Sequence, residues 1–145
     1  MNLTNYDYLA SDSSLDYIFE SIGPRGNIKK VVRFDKIERG FYNLGFGDLN
    51  EKTGIVSDMT ISNNEDTEKI LATIAAITSH FTGIYPHSLI ALKGTTAART
   101  RLYQMKIAKY FNEIDLDFEI RGLYNEKWEH FKKNKNYDAF TVWRE

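Results

Sequence analysis

The sequence predicts a single α+β domain in which two main helices pack on a mixed, mainly antiparallel sheet. Three observations predict it. Between Tyr6 and Ile61, aromatic and β-branched residues alternate with polar ones and are broken by glycine-rich turns, the pattern of an antiparallel meander. From Glu65 to Phe81 the period lengthens to that of a helix, with Ile70, Ile74, Ile77 and Phe81 on one stripe. The apolar run Leu89–Leu92 then separates two helical stretches, as a buried strand does. A length of 145 residues suits one domain with its own core, and 42% hydrophobic with 27% charged residues is ordinary globular usage.

The elements follow in chain order. Tyr6, Tyr8 and Ala10 alternate with polar residues and fit a short first strand at a sheet edge. Leu15–Ile22 has helical spacing at Leu15, Ile18, Phe19 and Ile22, but it enters the turn Gly23-Pro24-Arg25-Gly26, and Ile28–Phe34 beyond it is extended. A strand–turn–strand reading fits both halves. Gly40–Asp48 places Tyr42, Leu44 and Phe46 on one face, and Ile55–Ile61 resumes as a strand after a polar loop. Ser62-Asn63-Asn64-Glu65 matches a capping box, with Asn63 and Asn64 as competing caps, and Gly83 and Tyr85-Pro86 close the helix. Strand–helix–strand through Leu89–Leu92 implies a parallel pair. A second helix is expected from about Thr96 to Phe111, burying Leu102 and Met105 with Ile107 or Tyr110. Asp117–Tyr124 is a strand, Trp128 and Phe131 suggest a short helix, and Asp138–Trp143 is the last strand.

Composition excludes several functions. The formal net charge of -1 argues against the basic face of a non-specific nucleic-acid binder. With no cysteine there is no disulfide, thiolate nucleophile or cysteine-ligated zinc, which fits a reducing compartment, and the cytoplasm is the expected location. Neither a leader at Met1–Asp7 nor an apolar run of about 20 residues predicts membrane insertion. His80, His87 and His130 lack metal-ligand spacing, and His80 is expected to cap a helix end. Asp48 and Asp58 flank a turn, which suits either a carboxylate pair or, as is commoner, turn formers and lone hydrogen-bond acceptors. Trp128, Trp143 and Tyr137 are assigned to packing. No Walker motif, nucleophile elbow or dinucleotide fingerprint is present, so no catalytic residue and no cofactor is readable.

One feature points to a ligand. Both helices follow strands, and a helix start offers free N–H groups and a positive dipole end to anions. The first helix fills that end with Glu65, Asp66 and Glu68, which would repel a phosphate. The second is preceded by Lys93 and Gly94, has Thr95 or Thr96 as its cap, and carries Arg99 and Arg101 where cations are disfavoured by about 0.3–1 kcal/mol each. Thr95, Arg99 and Tyr103 share a face at spacings of four. Two explanations stay open for the arginines: a bound phosphate or carboxylate, or ion pairs with Glu65, Asp58 or Asp117. The expected ligand site is Lys93, Gly94, Thr95, Thr96, Arg99, Arg101 and Tyr103, and the expected partner is an anionic small molecule or a protein.

Four stretches carry a resemblance: Gly23-Pro24-Arg25-Gly26, Tyr42–Asp48, Asp66–Thr73 and Gly94–Tyr103. On these the chain resembles an uncharacterised bacterial family, a domain of unknown function, which implies no activity. More distantly, the order from Val31 to Trp143 is similar to the GNAT acyltransferase fold, where a meander leads to strand–helix–strand–helix and two final strands. That resemblance implies a GNAT-like topology and maps the acyl-CoA tyrosine to Tyr103. The family's Arg/Gln-x-x-Gly-x-Gly/Ala pyrophosphate loop would fall on Asn63–Lys69, which has no glycine and three acids. The resemblance thus offers a divergent or degenerate acyltransferase as one alternative, and a protein-interaction module of a two-component bacterial pair is another.

Overall fold

The computed structural model describes residues 4–50, 52, 56–57, 64–92, 97–98, 100–101, 104–105, 108 and 118–144. The chain divides into two compact units, residues 1–35 with 45–84, and residues 36–44 with 85–145. Strands β1 (Tyr8–Ala10), β2 (Asp16–Gly23), β3 (Gly26–Glu38), β4 (Phe41–Leu49) and β5 (Val56–Ser57) precede helix α1 (Thr67–Ile84). After it come β6 (Leu89–Leu92), β7 (Phe118–Tyr124), β8 (Lys127–His130) and β9 (Phe140–Arg144). The class is α+β with mixed pairing: β4·β6 is parallel, whereas β1·β2, β2·β3, β4·β5, β6·β9, β7·β9 and β7·β8 are antiparallel.

The first unit has the order β1-β2-β3-β4, with β5 on the end of β4. Proline holds φ near its turn value at Pro24, and Gly26 takes a φ of 87°, so β2 and β3 pair down to Gly23↔Gly26. Alternation then decides the faces. Tyr17, Phe19 and Ser21 of β2 are buried while Ile18, Glu20 and Ile22 are exposed. The buried rings stack into one core with α1: Phe34 lies on Phe81 at 3.9 Å, Phe19 on Phe46 at 6.3 Å, and Tyr17 meets Phe34 edge-on at 5.9 Å. The strand–turn–strand reading is found here; of the expected inner face, Phe46 is buried in this unit, and Tyr42 and Leu44 are buried in the second.

The helix differs from its expected stripe. Ile77 and Phe81 are fully buried, but Ile70 and Ile74 are only half-buried, and Ala72, Thr73, Thr78 and Thr82 take the remaining inner positions. Threonine is tolerated there because each hydroxyl bonds back into its own helix: Thr73 to Lys69 O at 2.7 Å, Thr78 to Ile74 O at 2.8 Å and Thr82 to Thr78 O at 2.9 Å. The start is also later than the capping box placed it. Asp66 precedes the first helical residue and its carbonyl accepts Ile70 N at 3.0 Å, whereas Ser62 and Asn63 lie outside the described residues. At the other end, the helix runs to Ile84 with no basic residue in its last turn, so His80 is not a cap.

The second unit has the order β4-β6-β9-β7-β8. The strand parallel to β6 is β4, not the Ile55–Ile61 segment, of which only Val56–Ser57 is described as strand. The reason is length: β4 offers Phe41–Asn43 to β6 and keeps Asp48–Leu49 for β5. Asn125 and Glu126 both take positive φ, 50° and 65°, so the chain turns in two residues and Trp128 lies in β8 rather than in a short helix. In the expected second helix, Ala97, Ala98, Thr100, Arg101, Gln104, Met105 and Ala108 are helical, and both its ends lie outside the described residues. Its buried face is polar where described. Thr100 and Gln104 are buried, whereas Met105 is 62% exposed; Leu102, Ile107 and Tyr110 lie outside the described residues. Gln104 is held inward because its amide donates to Lys135 O and accepts Tyr137 N at 2.9 Å, satisfying the backbone of a loop.

Candidate functional site

The expected ligand site falls largely outside the described residues: Lys93, Gly94, Thr95, Thr96, Arg99 and Tyr103 all do. Arg101 is described, helical and exposed, and Ala97 and Ala98 before it are exposed as well. The segment leaves the sheet at Leu92, the carboxyl end of the strand that pairs in parallel with β4. Ligands in sheets with parallel strands gather at such ends.

The start of α1 has a different chemistry. The Asp66 carboxylate accepts from two hydroxyls, Tyr6 at 2.6 Å and Ser21 at 2.5 Å, both through Oδ2. Its Oδ1 is buried without a hydrogen-bond partner. The Tyr6 hydroxyl also accepts Ile22 N at 3.1 Å, and the Lys69 ammonium stands 4.3 Å from the centre of the Tyr6 ring. Beside this group, the buried side chain of Asn64 donates to Gly26 O at 2.9 Å and Ser21 Oγ at 3.2 Å, and accepts Arg25 N at 2.7 Å. Asn64 therefore ties the segment before α1 to the β2–β3 turn instead of capping the helix. With Ser21 fully buried and Asp66 engaged, this cluster fastens the N-terminal segment and offers no nucleophile to solvent.

Burial, and then the hydrogen bond to Asp66, raises the pKa of Tyr6 above 10.0; burial likewise raises that of Tyr137. A raised phenol pKa means that the folded state favours the neutral form. Its contribution is complete below the ordinary tyrosine value of about 10 and is lost as pH rises through the higher folded value. Thermal midpoints measured across alkaline pH should therefore fall from about pH 10 upward, and Tyr6→Phe should flatten part of that fall. At pH 7 the same substitution should cost roughly 1–3 kcal/mol, because Asp66 Oδ2 keeps a single donor. An unchanged alkaline profile in Tyr6→Phe would contradict this account.

Two other groups were not legible as pairs. Tyr17 hydroxyl and His80 Nδ1 lie 2.8 Å apart, and Tyr8 meets the His80 ring edge-on at 6.0 Å. Asp48, expected beside Asp58, is instead the counter-ion of the fully buried Lys30; Asp58 lies outside the described residues. Alternation could have placed Lys30 on the inner face with Val32 and Phe34, since the three are spaced by two.

In the second unit, Tyr137 is buried as expected, and its hydroxyl donates to Glu129 Oε2 at 3.1 Å and accepts Lys132 N at 3.1 Å. The Lys135 ammonium bonds the other oxygen of Glu129 at 2.8 Å, which holds the Glu129 carboxyl below its usual range. The tryptophans are not core residues. Trp128 is 44% exposed and Trp143 half-buried, with the Arg121 guanidinium 5.0 Å from the Trp143 ring. They stand with Glu119 and His130 on the strand faces that point away from the buried rows.

Among the described residues no three His, Asp or Glu side chains converge as a metal site, and no helix is long and apolar enough to cross a membrane. No catalytic constellation is found among the polar groups above, whose described contacts are mostly structural. No curated protein and no solved structure matches the chain. Its likeness is to one family model, which extends over residues 2–145 and so takes in both units, the meander and the strand-to-helix junction alike. The chain belongs to DUF6934, a family of unknown function.

Proposed function

We propose that the chain binds an anionic ligand or partner at the Gly94–Arg101 junction, with Lys93, Thr95, Thr96, Arg99 and Arg101 as contacts and Tyr103 beside them. The observation that supports this reading is the contrast between the two helical segments. Asp66 occupies the start of α1, and Glu68 sits in its first turn. In the other segment the first described residues, Ala97 and Ala98, are exposed, and Arg101 is exposed one turn later. Free N–H groups and a guanidinium together suit a phosphate or carboxylate. The reading belongs to a protein of the bacterial cytoplasm that acts as a single domain. Inorganic phosphate, nucleotides and acyl-CoAs should be titrated against the thermal midpoint. At least one should raise it, by about 2.7 kcal/mol in stability at a hundredfold excess over Kd. Arg101→Ala and Arg99→Ala should each abolish that rise, and no shift with any of these ligands would refute the proposal.

A GNAT-like topology is the finer form of the fold we propose. It is supported by the order meander, α1, β6, helical residues between 97 and 108, then β7 to β9, together with the parallel β4·β6 pair. Acyl-CoA binding in that fold's usual manner is opposed by the acidic, glycine-free stretch around Asp66. Calorimetry with acetyl-CoA separates the two: heat of binding retained in Arg101→Ala would favour the acyltransferase reading over the anion site.

A further inference from the structure

The formal net charge of -1 combines two unlike halves. Residues 36–44 with 85–145 carry 13 Lys and Arg against 9 Asp and Glu, or +4, whereas residues 1–35 with 45–84 carry 6 against 11, or -5. A near-neutral chain therefore has one basic unit. Within it, Lys132-Lys133-Asn134-Lys135-Asn136 places three lysines in five residues.

This loop is built rather than merely solvated. Its backbone is fixed at three points: the Tyr137 hydroxyl accepts Lys132 N at 3.1 Å, the Gln104 amide donates to Lys135 O, and the Gln104 side-chain oxygen accepts Tyr137 N at 2.9 Å. Gln104 and Tyr137 are both buried, and Tyr137 lies so close to Gly122 that a Cβ there would stand 2.3 Å from the ring. With the backbone held inward, Lys132, Lys133, Asn134 and Asn136 are all exposed. Lys135 folds back onto Glu129 at 2.8 Å, which counters that acid within the unit, and its ammonium stands 4.0 Å from the centre of the Tyr124 ring. Tyr124 is 38% exposed, and Lys127, its partner across the β7–β8 hairpin, is exposed too. Gln104 also joins the loop to the helical segment of Arg101, which is exposed about one turn earlier.

The mixture of side chains decides the partner. Lysine is a point charge on a flexible stem, so several of them can follow a row of phosphates without the planar fork by which arginine grips a single anion. The Asn134 and Asn136 amides offer donor and acceptor together, which suits base edges, whereas the carboxylates of an acidic peptide only accept. The open Tyr124 ring gives an unpaired base a stacking surface, which the bases inside a duplex cannot reach. We propose that loop 132–136, with Tyr124 and Lys127, extends the anion site at Arg101 into a surface for single-stranded nucleic acid. The inference rests on the anion reading of the junction and gives it a ligand class, a chain of phosphates in place of one.

The test is fluorescence anisotropy of the full chain with a labelled single strand of about 12 nucleotides, as RNA and as DNA, and with the same DNA as a duplex. Circular dichroism and thermal midpoints control for folding. The single strands should bind more tightly than the duplex, and log Kd should rise with log salt concentration. The double variant Lys132→Glu with Lys133→Glu, at exposed loop positions, should bind at least about 10-fold more weakly and with a shallower salt dependence. Tyr124→Leu keeps an apolar side chain in the hairpin and removes the ring; it should lose about 5-fold or more in affinity with the salt dependence unchanged. No binding of either strand, tighter binding of the duplex, or affinity untouched by the double lysine reversal would overturn the inference. Polyglutamate bound as tightly as the strands would overturn it as well, in favour of an acidic protein. Arg101→Ala separates the two readings. A thermal shift with inorganic phosphate that is lost in Arg101→Ala, with no strand bound, keeps the anion site and removes its extension. A strand that loosens in the lysine reversal but not in Arg101→Ala refutes the junction, and with it the continuous surface proposed here.

Discussion

Gly23→Ala should destabilise the chain by about 3 kcal/mol or more, while Gly26→Ala, three residues on in the same turn, should cost only about 1–2 kcal/mol. The two glycines are present for different reasons. Gly26 has a φ of 87° and nothing within 4 Å of where a Cβ would stand, so alanine there meets conformational strain alone. At Gly23 a Cβ would lie 2.7 Å from Asn64 Cγ and 2.8 Å from its Oδ1, and closer still to the backbone oxygen of Asn64. A backbone oxygen cannot swing aside as a side-chain tip can. The segment at Asn64 would have to withdraw, taking with it the bonds to Gly26 O and Arg25 N. Each buried polar group left without its partner adds about 1–3 kcal/mol. Urea denaturation of the two variants measures the difference, and equal losses would show that the close approach of Asn64 is not what the glycine serves. Asn64→Ala should fall between them, since it deletes the bonds and leaves the backbone contact.

Most of the strands were legible because alternation is a local signal. Tyr42, Leu44 and Phe46 each lie two residues apart, and all three are buried. The Gly23–Gly26 turn was legible for the same reason. What failed depended on distant partners or on backbone angles that residue type does not announce. Asn64 is a good helix cap by residue type, but a turn separated from it by 38 residues takes its side chain. Trp128 looked helical beside Phe131, and only positive φ at Asn125 and Glu126, without a glycine to announce it, puts it in a hairpin. Met105 was expected inside because it is apolar; Gln104 is inside because the backbone at Lys135 and Tyr137 needs a donor and an acceptor. Of the anion site, sequence supplied the contrast between two helix starts. The acidic one proves to be engaged internally by Tyr6 and Ser21, which repulsion alone did not predict.

The same distinction between residue type and partner sets the expectation for Lys30. Its side chain has no accessible surface and its ammonium lies 5.9 Å from the centre of the Phe46 ring, so Asp48 supplies its counter-charge. The partners are not equally buried: Asp48 keeps 15% of its side chain accessible. Removing Asp48 therefore takes the carboxylate from an ammonium that water cannot reach, whereas removing Lys30 leaves a carboxylate that it can. Asp48→Asn should cost about 3–5 kcal/mol, the cost of breaking a buried pair from one side. Lys30→Met should cost less, because methionine fills much the same volume and Asp48 retains its hydration. In the double variant the cost should be far below the sum, since no uncompensated charge remains. Chemical denaturation of the four proteins completes the cycle. Additive losses would mean that Lys30 and Asp48 act independently, and a larger loss in Lys30→Met than in Asp48→Asn would reverse the burial argument.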